Sequence, residues 1–63
     1  MELGTYRYIG DNTGTDLERN NIYTFKKVSV DYIRAYNVDD ETFEELTTEE
    51  FRHYKEYGVL EDV

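Results

Sequence analysis

Apolar and polar residues alternate along three stretches of this chain, with the period of two that is typical of half-buried β-strands. The stretches cover residues 5–9, 22–28 and 32–38 and are rich in aromatic and β-branched residues, which favour strands. Tyr23 and Phe25 share one face of the second predicted strand, where two consecutive lysines interrupt the alternation and indicate a β-bulge. The pattern therefore predicts three strands joined by polar connections.

The connection between the first two predicted strands is long and polar. Residues 10–14 combine glycine, aspartate, asparagine and threonine, which favour turns, and the polar segment continues to Asn21. Leu17 is its only large apolar residue, so we expect that side chain to hold the loop against the core. The run from Asp11 to Asp16 has oxygen-bearing residues at alternating positions, but it lacks the glycine and glutamate that a calcium loop needs at positions six and twelve. Turn formation is therefore our interpretation of this segment.

A helix is predicted late in the chain by its end signals. Thr47 and Glu50 fit the S/T-x-x-E capping box, with the threonine as N-cap. The glycine that follows residue 57 stands where a glycine commonly ends a helix. We therefore predict one short helix to about residue 57, with Phe51 and Tyr54 facing the core.

Two further strands complete the predicted fold, over residues 42–46 before the helix and residues 59–63 after it. Five short strands with one late helix predict a mainly β (α+β) domain, in the form of a small, strongly bent, five-stranded antiparallel barrel. Residues 1–63 are too few for more than one domain, and a chain of this length buries only about 60% of its unfolded surface.

Composition limits how such a fold is stabilised and where it works. The chain has no cysteine, so it can form neither a disulfide nor a thiolate metal site. Seven tyrosines and three phenylalanines supply most of the apolar area. No apolar run is long enough to span a membrane, and the first residues do not have the layout of a signal peptide. We therefore expect a protein of the reducing cytoplasm.

Charge is distributed unevenly along the chain, whose net charge is −8. Residues 1–38 carry five acids and five bases, whereas residues 39–63 carry ten acids and only two bases. Direct binding to DNA, RNA or anionic lipid is disfavoured, because those ligands require a basic surface. A basic protein is the favoured partner.

Seven carboxylates fall within the thirteen residues 38–50, without an intervening base. They are Asp39, Asp40, Glu41, Glu44, Glu45, Glu49 and Glu50. Phe43 and Leu46 lie within the run, so we expect a folded scaffold to fix the carboxylates into one electronegative face. Neighbours on a strand or helix face are about 5–7 Å apart, so such a face can compete with DNA phosphates for basic side chains. The alternative is a solvated surface that only keeps the protein soluble.

The tyrosines cannot all lie in the interior, since each hydroxyl must reach water or a hydrogen-bond partner. Some are therefore expected on an exposed aromatic surface, and Tyr36 and Tyr54 are our candidates for short-range contact with a partner. The alternative is that these rings belong to the core and only their hydroxyls reach the surface.

No constellation in the sequence indicates catalysis, a cofactor or a metal. His53 is the only histidine, and no cysteine is present for it to activate. Asp39, Asp40 and Glu41 could join it in binding a divalent ion, but consecutive acids in a turn diverge. We therefore expect His53 to lie on the surface. We also expect that the protein is not an enzyme.

Several short motifs resemble those of a known protein class. They are Tyr6-Arg7-Tyr8-Ile9-Gly10, Leu17-Glu18 with Ile22-Tyr23, Ile33-Arg34-Ala35-Tyr36, and Phe43-Glu44-Glu45-Leu46 followed by an acidic helix with Phe51. Together they resemble small SH3-like barrel proteins of phages of Gram-positive bacteria, in which such barrels are commonly binding modules.

In charge and size alone, the chain is also similar to phage-encoded DNA mimics that disable host DNA-binding proteins. This similarity implies a partner in the host cytoplasm, with an HU-type nucleoid protein favoured over RNA polymerase subunits and nucleases. The alternative is an SH3-like adaptor that binds a peptide or protein through its tyrosine-rich surface.

Overall fold

The computed structural model describes residues 2–11 and 16–63, which form one antiparallel sheet with a single helix. The elements in chain order are β1 (Glu2–Tyr8), β2 (Ile22–Lys27), β3 (Tyr32–Asn37), β4 (Phe43–Thr47), α1 (Thr48–Tyr57) and β5 (Leu60–Asp62). The mainly β class with one late helix is therefore confirmed. Residues 12–15 of the predicted turn lie outside the described part of the chain.

The strands are ordered β4-β3-β2-β1-β5 across the sheet, and every neighbouring pair is antiparallel. This order makes β4 and β5 the two edges. In the described residues no strand pairing joins these two edges, so the structure shows one five-stranded antiparallel sheet, and its closure into the strongly bent barrel stays a prediction.

The sequence predicted a β-bulge at the two consecutive lysines of β2, but the bulge lies on the neighbouring strand β1. Lys26 and Lys27 pair in regular register with Arg34 and Ile33 of β3. The pairing between β1 and β2 shifts between Glu2 and Gly4, so the extra residue belongs to β1. Gly4 has a φ of 118°, which a glycine adopts without steric cost.

The core lies between one face of the sheet and α1. Its buried side chains are Tyr8, Leu17, Tyr23, Phe25, Ile33, Ala35 and Leu46. Leu17 is only 2% exposed, which confirms that it holds the long loop against the core. Phe51 and Tyr54 of α1 cover this face, with ring centroids 5.1 Å from Phe25 and 5.7 Å from Tyr8 respectively.

Both predicted helix ends are confirmed. The Thr47 hydroxyl accepts a hydrogen bond from the Glu50 amide at 3.1 Å, and the Glu50 carboxylate accepts one from the Thr47 amide at 3.0 Å. These reciprocal bonds satisfy two amides at the helix start. Gly58 ends the helix in the left-handed conformation, with a φ of 71°.

Gly58→Ala is expected to lower the free energy of unfolding by about 1 kcal/mol, because a left-handed conformation disfavours any residue with a Cβ atom. The added Cβ would meet no atom within 4 Å, so the effect is conformational rather than steric. Gly58→Asn should cost less, since asparagine tolerates this conformation. Urea denaturation measures the free energy of unfolding of wild type, Gly58→Ala and Gly58→Asn. Equal values for the three proteins would contradict the expectation.

Candidate functional site

The seven carboxylates predicted as a partner-binding site lie along one edge of the sheet, which we call the acidic rim. It consists of Asp39, Asp40, Glu41, Glu44, Glu45, Glu49 and Glu50. The first three lie in the β3–β4 turn, the next two on edge strand β4 and the last two in the first turn of α1. Six are exposed and Glu44 is half-buried, so most of the rim faces solvent.

The sequence predicted one electronegative face, but two carboxylates of the acidic rim lie on opposite faces of the sheet. Glu44 pairs with Ala35 of β3, whose side chain belongs to the core face, and Glu45 pairs with Arg34 on the opposite face. Consecutive strand residues point to opposite sides of a sheet. The rim therefore presents negative charge in two directions around the edge strand.

Hydrogen bonds within the β3–β4 turn fix the carboxylate of Asp40 and the backbone of Asp39. The Asp40 carboxylate accepts bonds from the amide and hydroxyl of Thr42, at 3.1 and 2.6 Å. The side-chain oxygen of Asn37, which is 7% exposed, accepts a bond from the Asp39 amide at 2.8 Å. Glu41 has a φ of 62°, so the turn passes through a left-handed residue.

The Thr42 hydroxyl, followed by its amide, lowers the pKa of Asp40 below the ordinary value for aspartate. Thr42→Val removes the hydroxyl donor and should raise the pKa of Asp40 towards that ordinary value of about 3.9. Because the pKa of Asp40 is lower in the folded state, its ionised carboxylate stabilises the fold above about pH 3.9. This stabilisation is lost as the pH falls through the folded pKa. A carboxyl-carbon NMR titration of both proteins measures the shift, and an unchanged pKa would contradict it.

Contacts at the start of α1 fix the other end of the rim. The Thr48 amide donates to the carbonyl of Asp31 at 2.9 Å, and its hydroxyl donates to the carbonyl of Val30 at 3.0 Å. These bonds join the helix start to the β2–β3 turn. Glu49 and Glu50 therefore have a fixed position beside β4, at the helix end whose dipole favours negative charge.

Two further carboxylates, which the sequence analysis did not identify, join the rim near the β3–β4 turn. Asp16 and Glu18 line a cavity of about 70 Å³ together with Asp40, Glu44 and Phe43. The buried Leu17 between the two acids holds them there, and the Glu18 amide donates to the Tyr23 hydroxyl at 2.9 Å. The one sequence signal for this arrangement was the isolated apolar Leu17 in a polar loop.

The two predicted aromatic contact residues lie in different places. Tyr36 is half-buried on the face of the sheet that α1 does not cover. Tyr54 is half-buried and packs against the core cluster, so its ring is on the opposite side of the sheet. Phe43 is 45% exposed and lies beside Tyr36, with ring centroids 5.5 Å apart. It was not assigned to the site from sequence.

The face that carries Tyr36 and Phe43 is called here the outer face. Two rows of paired residues cross it: Thr5, Thr24, Tyr36 and Phe43 in one, and Lys26, Arg34 and Glu45 in the other. The Thr5 and Thr24 hydroxyl oxygens are 2.9 Å apart, within hydrogen-bonding distance. The outer face therefore combines basic and aromatic side chains beside the acidic rim.

The two basic side chains of the second row, Lys26 and Arg34, lie close to the aromatic rings of the first row. The Arg34 guanidinium carbon is 4.6 Å from the Phe43 ring centroid, and the Lys26 ammonium is 5.5 Å from that of Tyr36. Arg34 also donates to the Tyr36 hydroxyl at 3.4 Å and lies 3.6 Å from the Glu45 carboxylate. The pKa of Arg34 is raised, first by the Tyr36 hydroxyl and then by Glu45.

His53 lies exposed on α1, as expected from sequence, with its ring 5.5 Å from that of Tyr57. Among residues 2–11 and 16–63, no group of three histidine, cysteine, aspartate or glutamate side chains is placed to bind a metal ion. The described part of the chain contains no helix long and apolar enough to cross a bilayer.

Comparison with known proteins gives no match to this chain among protein-family models, curated proteins or solved structures.

Proposed function

We propose that this chain is a non-enzymatic inhibitor that occupies the basic DNA-binding surface of another protein and thereby blocks its binding to DNA. The observation that carries this proposal is the acidic rim, which is joined near the β3–β4 turn by Asp16 and Glu18. Carboxylates held at fixed positions attract the same lysine and arginine side chains that bind phosphates. The long-range attraction comes from the rim, and Tyr36 and Tyr54 remain the proposed short-range contacts.

The favoured partner is an HU-type nucleoid protein, because such proteins are small, abundant and strongly basic. RNA polymerase subunits and nucleases are less favoured partners. We assign the chain to a phage and its action to the cytoplasm of the host cell, in line with the resemblance seen in the sequence. The strand order, with a helix between β4 and β5, supports an SH3-like barrel as the finer description of the fold.

Competition with DNA tests this function directly. A purified HU-type protein bound to a short fluorescent duplex is titrated with the chain, and the anisotropy of the duplex is measured at several salt concentrations. We expect displacement of the DNA at low salt that weakens steeply as salt rises, because several weak ion pairs act together. Duplex alone with the chain is the control. DNA that stays bound at low salt contradicts the proposal.

The outer face supports a second candidate function, an SH3-like adaptor that binds a peptide or protein through aromatic side chains. The observation in its favour is the half-exposed Phe43 beside Tyr36. The binding affinity of an apolar interface of this kind changes little between low and high salt, because salt screens charges and not apolar contacts. Salt-insensitive binding that is lost in Tyr36→Ala would favour the adaptor over the inhibitor.

A further inference from the structure

The backbone of edge strand β4 alternates between groups that bond to β3 and groups that point away from it. The Asn37 amide of β3 donates to the Thr42 carbonyl at 2.8 Å, just before β4 begins. Hydrogen-bonded pairs recur at every second residue of an antiparallel ladder, so Glu44 is the next residue of β4 that bonds to β3. The amides and carbonyls of Phe43 and Glu45 therefore point away from β3, towards the free edge of the sheet.

These outward backbone groups lie on an accessible edge. In the part of the chain that the structure describes, β3 is the only strand that pairs with β4. Phe43 is 45% exposed, and Glu45 is exposed as well. The next outward amide, that of Thr47, donates to the Glu50 carboxylate at 3.0 Å and belongs to the helix cap. The edge that can accept a further strand is therefore short and runs from Phe43 to Glu45.

Charge determines which kind of strand this edge accepts. Glu44 lies on the core face of the sheet and Glu45 on the outer face, so a carboxylate flanks the edge on either side. Opposite charges on neighbouring strands stabilise a sheet, whereas like charges directly opposite one another destabilise it. β3 already shows the favourable pairing, because its Arg34 lies opposite Glu45 with 3.6 Å between their nitrogen and oxygen atoms. A basic strand therefore complements the free side of β4.

We propose that β4 binds an extended segment of the basic partner, rich in lysine or arginine, as a sixth strand of the five-stranded sheet. When a peptide adds a strand to an exposed edge, main-chain hydrogen bonds supply affinity and alternate side chains supply specificity. Here the backbone groups of Phe43 and Glu45 form the hydrogen bonds, and Glu44 and Glu45 pair with basic side chains on the two faces. This inference rests on the proposed function and names the conformation in which the partner binds.

Two variants at one position separate the backbone contact from the charge. Glu45→Pro and Glu45→Gln both remove the carboxylate, but only proline also removes the outward amide. Proline is tolerated on an edge strand where the missing N–H faces away from the neighbouring strand, as it does here. Fluorescence anisotropy of labelled nona-lysine at low salt measures binding, and circular dichroism checks the fold. We expect Glu45→Pro to bind the peptide about tenfold more weakly than Glu45→Gln.

Modified peptides give a second test, which uses the wild-type chain alone. Nona-lysine with a methyl group on every second backbone nitrogen keeps one edge that can form a ladder, whereas methylation of every backbone nitrogen leaves none. The two peptides carry the same side chains and the same charges. The alternately methylated peptide should bind about as tightly as unmodified nona-lysine, and the fully methylated peptide about tenfold more weakly.

The outcomes separate this inference from the proposed function. Equal binding of the two methylated peptides, or of nona-lysine by two folded Glu45 variants, would overturn the added strand and leave the inhibitor standing. Equally tight binding of an uncharged threonine-rich peptide, or a dimer of the wild-type chain in sedimentation, would show that the edge takes another occupant and would also overturn it. Failure of nona-lysine to bind at low salt would overturn both.

Discussion

Phe25→Ala is expected to leave most molecules unfolded at room temperature. Phe25 has no exposed surface, and its ring lies 6.1 Å from Tyr6, 6.4 Å from Tyr23 and 5.1 Å from Phe51, measured between centroids. Removing a buried phenylalanine costs about 3–5 kcal/mol. The core of so small a domain supplies only about 3–5 kcal/mol of net stability. The loss is therefore as large as the stability itself.

Circular dichroism in a urea series measures the loss of stability in Phe25→Ala. Tyr57→Ala is the control, because it removes an aromatic ring of similar size that is 73% exposed. The control should unfold near the wild-type urea concentration, while Phe25→Ala should have no folded baseline. A cooperative transition close to that of wild type in Phe25→Ala would show that the rings around this residue do not hold the sheet and the helix together.

Reversing three carboxylates of the acidic rim to lysine is expected to slow association with the basic partner by tenfold or more. Asp39, Glu41 and Glu44 are the best positions, because the turn uses Asp40, the helix cap uses Glu50 and Arg34 pairs with Glu45. Each reversal adds two positive units, so the net charge changes from −8 to −2. Stopped-flow fluorescence with an HU-type protein at low salt measures the association rate.

A matched triple variant separates the position of the charges from their number. Glu2, Glu56 and Asp62 are exposed acids outside the acidic rim, and Asp62 lies on β5 at the opposite edge of the sheet. Reversing these three changes the net charge by the same amount and should slow association much less. If the two triple variants associate equally slowly, net charge rather than the rim attracts the partner.

Features encoded within a few residues could be predicted from the sequence. The capping box of Thr47 and Glu50 and the glycine at position 58 each determine a helix end through contacts between near neighbours. The alternation in β3 fixes its two faces, since the side chains of a strand point alternately to either side. The existence and approximate bounds of the helix and of most strands follow from such local signals.

Features that depend on pairing between distant segments could not be predicted in this way. β1 begins at Glu2, before its alternating pattern does, because residues of β2 far along the chain pair with it. Asp16 and Glu18 come from a loop remote in sequence, and only the burial of Leu17 brings them to the rim. The carboxylate sequence itself gave no sign that β4 is an edge strand.

The positions of the aromatic residues in the candidate site could not be predicted from the sequence either. Tyr36 and Tyr54 are equally plausible contact residues from composition, yet the sheet separates them onto opposite sides. Phe43 and Leu46 are three residues apart, which in a strand places them on opposite faces. Leu46 is 6% exposed and Phe43 is 45% exposed, so only one of the pair is available to a partner.

The edge position of β4 also bears on how copies of the chain behave towards one another. An unpaired edge strand offers its backbone groups to any similar strand, and proteins commonly prevent such joining by placing charges there. Glu44 and Glu45 are in the middle of β4, so two copies aligned edge to edge would bring like charges together. Replacing both glutamates by glutamine would remove that repulsion and leave the edge open to self-association and aggregation.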